Sequence, residues 1–446
     1  MVPHVVLSCL LAASPSAAQP PPPSAADAVA KAVEASELLQ KALGFKLKPT
    51  GFVAGHVVFN TGSAAPSGDA PFFAAANSKT VYRAGARPWE GSGSLVITGR
   101  QSRFGVEAGF NINRWFDADA VLEFDLWALY LPNIPPGITA GTVRLRLAYA
   151  QVGTKYFKLL VGQALSVVAP RYPTSIGHLA VAAFTQAGFL WQRIPQVTAL
   201  FNVPLAFAPP LFGAPRLFAA VSAARPLSGD HETAAVIVFD TQDPGSASLL
   251  PLLQARAGLD STYLTLGVSG QLGAESYQLT NNTGAPRAKK LVETWLAAAD
   301  AKFSLAGFTL QGQAFVGANV NGMFGMTGIR RSQSPIRNAS GQVTGQALDD
   351  VRSLNAVGGW VQAMGPVWPG VAEWFVGAGV EHTVQVDLLA DGTRLTNGAL
   401  QAGLMFPVHK HLDAGLESYH VISRYRSSGN PIAWNDSLTA MMRVKL

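Results

Sequence analysis

This sequence predicts an all-β fold, a 16-stranded antiparallel transmembrane β-barrel with a short N-terminal periplasmic helix. Segments of about ten residues recur along nearly the whole chain with an apolar side chain at every second position, as strands between lipid and a water-filled lumen require. No stretch of about 20 apolar residues could form a spanning helix. Charged residues make up only 13% of the 446 residues, which a barrel explains because its outer face needs no charge.

Residues 1–18 are predicted to be a signal peptide. The apolar run Val5–Ala13 precedes small residues at positions 16–18, which are typical of a cleavage site. The segment before the run lacks Lys and Arg, so the true start, at Met1 or elsewhere, stays open. The single cysteine, Cys9, lies in this run, and the mature chain is therefore expected to lack disulfides and thiol chemistry.

Residues 19–49 are predicted to form a proline-rich spacer and a periplasmic helix. The spacer is Pro20–Pro23, and Ala25–Leu43 carries apolar residues roughly on one side of a helix. A helix of this length is marginal in water on its own. Two alternatives follow: a weakly ordered leader, or a small coiled-coil or plug-like element that gains order by contact.

Residues 50–446 are predicted to form the barrel. Short and long connections alternate between the strands, and short turns belong on the periplasmic side of an outer-membrane barrel. Trp115, Tyr156 and Trp368 fall beside predicted short turns, where an aromatic girdle is expected. The predicted strands are Gly51–Asn60, Leu95–Asn111, Ala120–Leu129, Thr142–Val152, Phe157–Val168, Ile194–Val203, Leu217–Arg225, Leu252–Ser261, Tyr263–Gln278, Val292–Leu305, Phe308–Gly322, Asn355–Met364, Glu373–Val384, Gly398–Val408, Leu412–Tyr425 and Ser437–Leu446.

Strand parity turns several charged side chains toward the predicted lumen. On the lipid face an Arg or Lys would cost about 2–4 kcal/mol near the middle of the bilayer, so the inward assignment is favoured. Two interpretations stay open: selection of a small anion by direct pairing with Arg, or salt bridges that stiffen the wall. The inward-facing residues are Arg103, Glu107, Glu123, Asp125, Arg144 and Arg146.

Long connections carry further candidate residues. The connection Ala169–Arg193, with Arg171 near its start, is expected either to fold into the barrel and narrow it or to cap it from outside. The connections Thr61–Ser94 and Met323–Leu354 are longer still and either shape a vestibule or form flexible surface. The second of these contains Arg330, Arg331 and Arg337.

Five short blocks stand in the first half of the predicted barrel: Gln101–Glu107, Leu122–Asp125, Val143–Tyr149, Leu159–Gln163 and Gln192–Gln196. In order and spacing they resemble the DcaP-like family of outer-membrane porins over roughly residues 95–203, whereas the C-terminal half is similar only in style. The resemblance implies a trimer of sixteen-stranded barrels that passes small organic anions such as dicarboxylates through an arginine-lined constriction. By this resemblance, the arginines of the constriction would be Arg103, Arg144, Arg146 and Arg193.

Two departures from the family pattern concern the substrate more than the fold. Leu147 stands where the family has a His, and Ala164–Leu165 replaces the Thr-Trp pair that usually follows the Gln. The chain also ends in Leu446, where barrels of this kind commonly end in an aromatic residue.

The sequence therefore predicts a porin of a Gram-negative outer membrane for passive diffusion of small, preferably anionic, dicarboxylate-like solutes. A homotrimer in outer-membrane lipid is expected, without a cofactor. Nucleic acid is a poor partner because the basic residues are scattered singly along strands. The alternative is an outer-membrane barrel without an open pore and with a structural, adhesive or enzymatic role.

Enzymatic and metal-binding motifs do not support that alternative. No nucleophile elbow of the Gly-x-Ser-x-Gly type stands on a strand-to-helix turn, and no His-Glu-x-x-His motif occurs. His409 and His411 are two positions apart in a predicted periplasmic turn, which is more typical of exposed turn residues than of a metal site. Neither an enzyme nor a metal centre is predicted.

Overall fold

The computed structural model describes residue 34 and residues 46–62, 64–65, 67–74, 93–127, 143–205, 213–228, 243–338, 340–426 and 432–446. The predicted signal peptide, the proline-rich spacer and the helix Ala25–Leu43 lie outside these residues, except for Glu34, which is helical. No helix in the described ranges is both long and apolar enough to cross a membrane.

Sixteen antiparallel strands form one closed barrel, which confirms the predicted fold class. The strands are β1 (Lys46–Asn60), β2 (Ser94–Thr98 and Arg103–Asn111), β3 (Asp117–Asp125), β4 (Arg144–Gly153), β5 (Phe157–Leu165), β6 (Arg193–Pro204), β7 (Arg216–Ala224), β8 (Leu252–Asp260), β9 (Leu264–Thr280), β10 (Pro286–Leu305), β11 (Phe308–Ala318), β12 (Asn355–Trp368), β13 (Ala372–Thr383), β14 (Arg394–His409), β15 (Leu412–Tyr425) and β16 (Ile432–Lys445).

The barrel closes at β1, which pairs with β16 on one side and with both segments of β2 on the other. Every other strand pairs with its neighbours in sequence. Both β1 and β16 have one end beside the short turns, because Lys46 pairs with Gly109 and the Lys445 N–H donates to the His411 carbonyl. The short turns include residues 112–116, 154–156 and 410–411, close to the ranges 113–119, 154–156 and 409–411 that the sequence predicts.

Strand β2 differs from the continuous strand that was predicted. It is interrupted at residues 99–102. The Ser102 hydroxyl donates to the Gly99 carbonyl at 2.6 Å and accepts from the Ala54 N–H at 3.0 Å, so a side chain replaces ladder hydrogen bonds at the break. Strand β1 also begins earlier than predicted, at Lys46 instead of Gly51.

Apolar side chains cover the outside of the barrel. In β1, Val53, Val57 and Phe59 are 52%, 43% and 48% exposed, whereas Ala54 and Val58 between them are at most 1% exposed. Aromatic side chains beside the short turns, including Trp115, Tyr156 and Trp368, are also exposed. An apolar band with an aromatic girdle is the surface that a barrel presents to a lipid bilayer.

Strand β4 breaks the predicted alternation by a β-bulge. Leu145 pairs with Phe124 and Leu147 pairs with Glu123, so Arg146 is the extra residue on β4. Because a bulge reverses strand parity, Arg146 and Leu147 both line the interior. Strict alternation from Leu145 would turn Leu147 to the lipid, whereas the bulge turns it to the interior.

The connection between β5 and β6 lies inside the barrel. This segment, residues 166–192, is here called the inner loop. Its side chains Phe184, Phe189, Leu190 and Trp191 are at most 2% exposed and pack against inward-facing residues of the wall such as Trp360. The segment therefore folds into the barrel and does not cap it from outside.

A two-stranded antiparallel hairpin lies against the ends of the long strands β9 and β10. It is formed by Ile329–Arg337 and Val343–Ser353 and is here called the outer hairpin. It belongs to the connection between β11 and β12, which was predicted to be vestibule or surface. One face of the hairpin, with Val351, packs against Tyr277 and Val292 on the inner side of β9 and β10. The outer hairpin therefore lines the inside of the wall at the long-loop end.

Candidate functional site

Polar side chains of the barrel wall hold the inner loop by its backbone. These contacts come from the part of the wall between β12 and β2, across the barrel from β5 and β6 where the loop begins and ends, so the loop crosses the lumen. The contacts are His56 Nε2 with the Ile176 carbonyl (3.0 Å), Gln101 Nε2 with the Gly177 carbonyl (2.8 Å), Gln362 Nε2 with the Thr174 carbonyl (2.7 Å), Asn397 Nδ2 with the Gln186 carbonyl (2.8 Å) and Tyr419 Oη with the Phe184 N–H (2.9 Å).

Glu417 on β15 anchors the inner loop through a carboxylate. Its buried carboxylate accepts hydrogen bonds from the Ser175 hydroxyl at 2.8 and 3.0 Å, the Ile176 N–H at 2.6 Å and the Gly177 N–H at 3.2 Å. Hydrogen bonds to a charged acceptor are shorter and stronger than those to a neutral one. One carboxylate thus fixes three consecutive residues of the loop.

Replacing Glu417 by Ala should release this part of the inner loop without opening the barrel. The Ile176 and Gly177 amides lose their acceptor, so we expect their hydrogen exchange to accelerate by at least about tenfold, corresponding to about 1.4 kcal/mol of lost protection. Exchange measured by mass spectrometry on the reconstituted protein tests this. Glu293→Ala, on the exposed outer side of β10, is the charge-matched control. Equal exchange in both variants would show that Glu417 is not an anchor.

Arg144 and Arg146 of β4 are bound to the carboxylates of β3. Arg144 donates to both oxygens of Asp125, at 3.0 and 2.6 Å, and Arg146 donates to Glu123 at 2.6 Å and to Asp125 at 2.7 Å. Both arginines also donate to the Ala180 carbonyl of the inner loop, at 2.7 and 2.9 Å. They brace the loop against the wall as well as carrying charge.

Arg103 of β2 is less fully compensated. Its Nη2 donates to the Leu179 carbonyl at 2.7 Å, and its Nε lies 3.7 Å from Glu123, beyond hydrogen-bond distance. The guanidinium also lies over the Phe52 ring at 5.4 Å. Arg146 lies closer to Glu123, at 2.6 Å. Glu123 therefore neutralises Arg146 more fully than it neutralises Arg103.

Arg193 stands at the end of the inner loop. Its guanidinium lies 4.7 Å from the centre of the Trp191 ring. Within the described part of the chain it takes part in no ion pair. Among the residues that the structure describes here, three arginines share two carboxylates, and Arg193 adds a fourth positive charge without an ion pair.

A cavity of about 420 Å³ adjoins this cluster. The inner loop contributes Tyr172 and His178 to its lining, and the opposite wall contributes Arg443, which donates to Asp413 at 3.0 Å through its Nε. Four of the predicted residues line it: Arg103, Glu123, Arg146 and Arg193. Arg443 was missed as a site residue, although strand parity alone turns it inward.

Two of the predicted site residues lie away from this cluster. Arg171 donates to Asp300 of β10 at 2.7 Å, and Asp300 also binds Arg256 at 2.8 Å. Glu107 lies toward the 112–116 turn and pairs with Lys48 at 3.5 Å, with its side chain 48% exposed. The structure does not bring either residue to the cavity that Arg193 lines.

Residues 67–74, in the connection between β1 and β2, also turn inward. Ala70 and Phe72 are buried against the inner loop, and Asp69 accepts a hydrogen bond from Arg100 Nε at 2.6 Å. Burial raises the pKa of Asp69, but the bonds from Arg100 outweigh burial and hold it below its usual value. Asp69 therefore stays charged, and its ion pair with Arg100 binds this segment to the break in β2.

Among the described residues, no group of three or more His, Cys, Asp or Glu side chains could hold a metal ion. His409 and His411 have ring centres 5.7 Å apart in the 410–411 turn region and have no third ligand there. The cavity instead offers arginine guanidinium groups, whose planar donor set suits oxyanions.

No protein-family model matches the chain, and no curated protein matches it in sequence. Among solved structures, it is similar to the outer membrane channel DcaP of Acinetobacter baumannii, with a TM-score of 0.62 and 16% identity over 90% of this chain and 97% of that chain. The chain has the fold of the DcaP-like outer-membrane porins. The resemblance of the five sequence blocks is thereby confirmed at the level of fold.

Two further outer-membrane proteins share this DcaP-like barrel with lower similarity. A loop L8 deletion mutant of OmpT of Vibrio cholerae has a TM-score of 0.52 and 10% identity, over 90% of this chain and 99% of that chain. Salmonella typhi OmpF has a TM-score of 0.50 and 11% identity, over 90% and 98%. The DcaP-like fold and its apolar outer band place the chain in a bacterial outer membrane.

Proposed function

We propose that the protein is a porin for passive diffusion of small, preferably anionic solutes of the dicarboxylate type, and that it has no enzymatic activity. The single observation that carries the anionic preference is the charge balance at the inner loop, where four arginines stand beside two carboxylates, Glu123 and Asp125. Arg193 is the member of this set without an ion pair in the described residues. Its guanidinium lines the cavity of about 420 Å³.

The physical basis of the preference is an uncompensated positive charge in a narrow, partly desolvated passage. Charges there are screened less than in bulk water, so a passing anion is attracted and a passing cation is repelled. A guanidinium also offers two parallel donors to a carboxylate. Selection by charge and by bidentate pairing therefore acts at the same place.

Proteoliposome swelling tests this proposal with solutes of similar size and different charge. Succinate, 1,4-butanediol and putrescine all have four-carbon chains and carry negative, neutral and positive charge. We expect swelling rates to fall in the order succinate, butanediol, putrescine. Equal rates would remove the anionic preference, and no swelling with any solute would favour a barrel without an open pore.

We also propose that the barrel assembles as a homotrimer. Support comes from a structure of OmpT of Vibrio cholerae described as a trimer form, which has a TM-score of 0.50 with this chain. Native mass spectrometry of the detergent-extracted protein tests the assembly. A mass of three chains is expected, and a mass of one chain at all concentrations would contradict the proposal.

A further inference from the structure

The outer hairpin has two faces with different surroundings. Arg331 and Val351 are opposite each other in the hairpin register and point toward the wall, where the Arg331 guanidinium lies 5.7 Å from the Tyr277 ring and Val351 is fully buried. Side chains alternate between the two faces of a strand. Arg330 and Arg352, one residue away on each strand, therefore face the lumen at the barrel mouth, and both are exposed.

Arg330 and Arg352 stand directly opposite each other in the hairpin register. Like charges at opposed positions are destabilising, so their pairing is costly for the hairpin on its own. Arg352 donates to Asp350 at 2.8 Å, whereas Arg330 takes part in no ion pair within the described residues. Within the described residues, therefore, only one guanidinium of this pair is matched by a carboxylate.

Asp350 is also shared with the wall. Lys290, on the inner side of β10, donates to the same carboxylate. Hydrogen bonding from Lys290 and then from Arg352 lowers the pKa of Asp350 to about 2. Asp350 is therefore charged at neutral pH, and two cations, Lys290 and Arg352, share this one carboxylate.

We propose that Arg330, Arg352 and Lys290 form a capture surface at the mouth, which concentrates small oxyanions such as carboxylates before they reach the constriction at the inner loop. This proposal rests on the proposed function. The capture surface acts on the rate of entry, because fields from exposed charges raise the local concentration of an oppositely charged solute and depend on ionic strength. The arginines of the constriction act later, on a solute already inside.

The wall offers a matched control. Lys289 precedes Lys290 on β10 and pairs in register with Gln278, on the outer face of the same wall. Lys289→Glu and Arg330→Glu make the same change of charge at the same end of the barrel, one outside and one inside the mouth. Neither side chain is part of the packed face of the hairpin.

Unitary conductance in planar bilayers tests the capture surface. The Debye length is about 30 Å in 0.01 M salt and about 3 Å in 1 M salt. In 10 mM KCl we expect Arg330→Glu to lower the conductance by at least about twofold and to lower the association rate of the blocker succinate added on the hairpin side. In 1 M KCl the conductance difference should vanish. Lys289→Glu should match the wild type in both salts.

Equal low-salt conductance in Arg330→Glu and Lys289→Glu would overturn the proposal. A change in the succinate dissociation rate alone would also overturn it, because the residue would then act at a binding site and not in capture. The proposed function fails on a separate result, a cation-preferring reversal potential of the wild type. In that case Arg330→Glu would raise the low-salt conductance, which contradicts anion capture as well.

Discussion

Replacing Arg193 by Glu is expected to convert an anion-preferring pore into a cation-preferring one. The variant changes the charge beside the cavity by two units without breaking an ion pair in the described residues. At about 10 Å, with an effective dielectric constant of about 40, two unit charges change the energy of a passing ion by about 1.7 kcal/mol. The chloride-to-potassium permeability ratio should therefore fall by about tenfold or more.

Reversal potentials in a KCl gradient measure this ratio for each variant. Arg193→Lys is the conservative control, because it keeps the charge and loses only the planar donor set. It should keep the chloride preference and weaken block by succinate. If Arg193→Glu retained the wild-type ratio, the uncompensated charge at this position would have no role in selection.

Replacing Arg146 by Met should instead destabilise the barrel. Arg146 is 4% exposed and bonds to Glu123, Asp125 and the Ala180 carbonyl. Removing one partner of a buried ion pair typically costs about 3–5 kcal/mol, because the remaining charge is left uncompensated. We expect a loss of this size in the free energy of unfolding, measured by urea titration in detergent or lipid.

A double variant tests the cause of the stability loss in Arg146→Met. If the loss comes from the stranded carboxylate, the double variant Arg146→Met with Glu123→Gln should recover part of the stability. Arg193→Met is the comparison for loss of an arginine without an ion pair and should cost much less. An Arg146→Met barrel as stable as the wild type would contradict the bracing role of this residue.

The strands could be predicted from the sequence because a barrel wall imposes a period of two on every segment. The break in β2 and the bulge in β4 could not. Both depend on partners in neighbouring strands, since Ser102 bonds to Ala54 and Arg146 is extra only relative to Glu123 and Phe124. One inserted residue changes the face of Leu147, and no pattern within β4 indicates it.

The candidate site was predicted in part. Parity and the resemblance identified the arginines and carboxylates of β2, β3 and β4, but not which charges neutralise which. Arg171 and Arg193 have similar sequence settings at the two ends of the inner loop. Arg171 binds Asp300, a residue 129 positions away, whereas Arg193 lies over the Trp191 ring and takes part in no ion pair within the described residues. Long-range pairing of this kind is fixed by the closure of the barrel.

The two interpretations of the lumen charges, anion selection and wall-stiffening salt bridges, apply to different residues. Arg144 and Arg146 make the short ion pairs of a brace, and Arg103 and Arg193 carry the charge that the two carboxylates leave uncompensated. Glutamate variants at Arg144 or Arg146 would therefore confound selectivity with stability. Arg193 separates the two effects.

The reversal potential of the wild-type protein in a tenfold KCl gradient tests the central claim most directly. The four arginines and two carboxylates at the inner loop predict a potential displaced toward the chloride equilibrium potential, and a larger displacement at low ionic strength, where screening is weaker. A potential at zero or displaced toward potassium would contradict the proposed anionic preference.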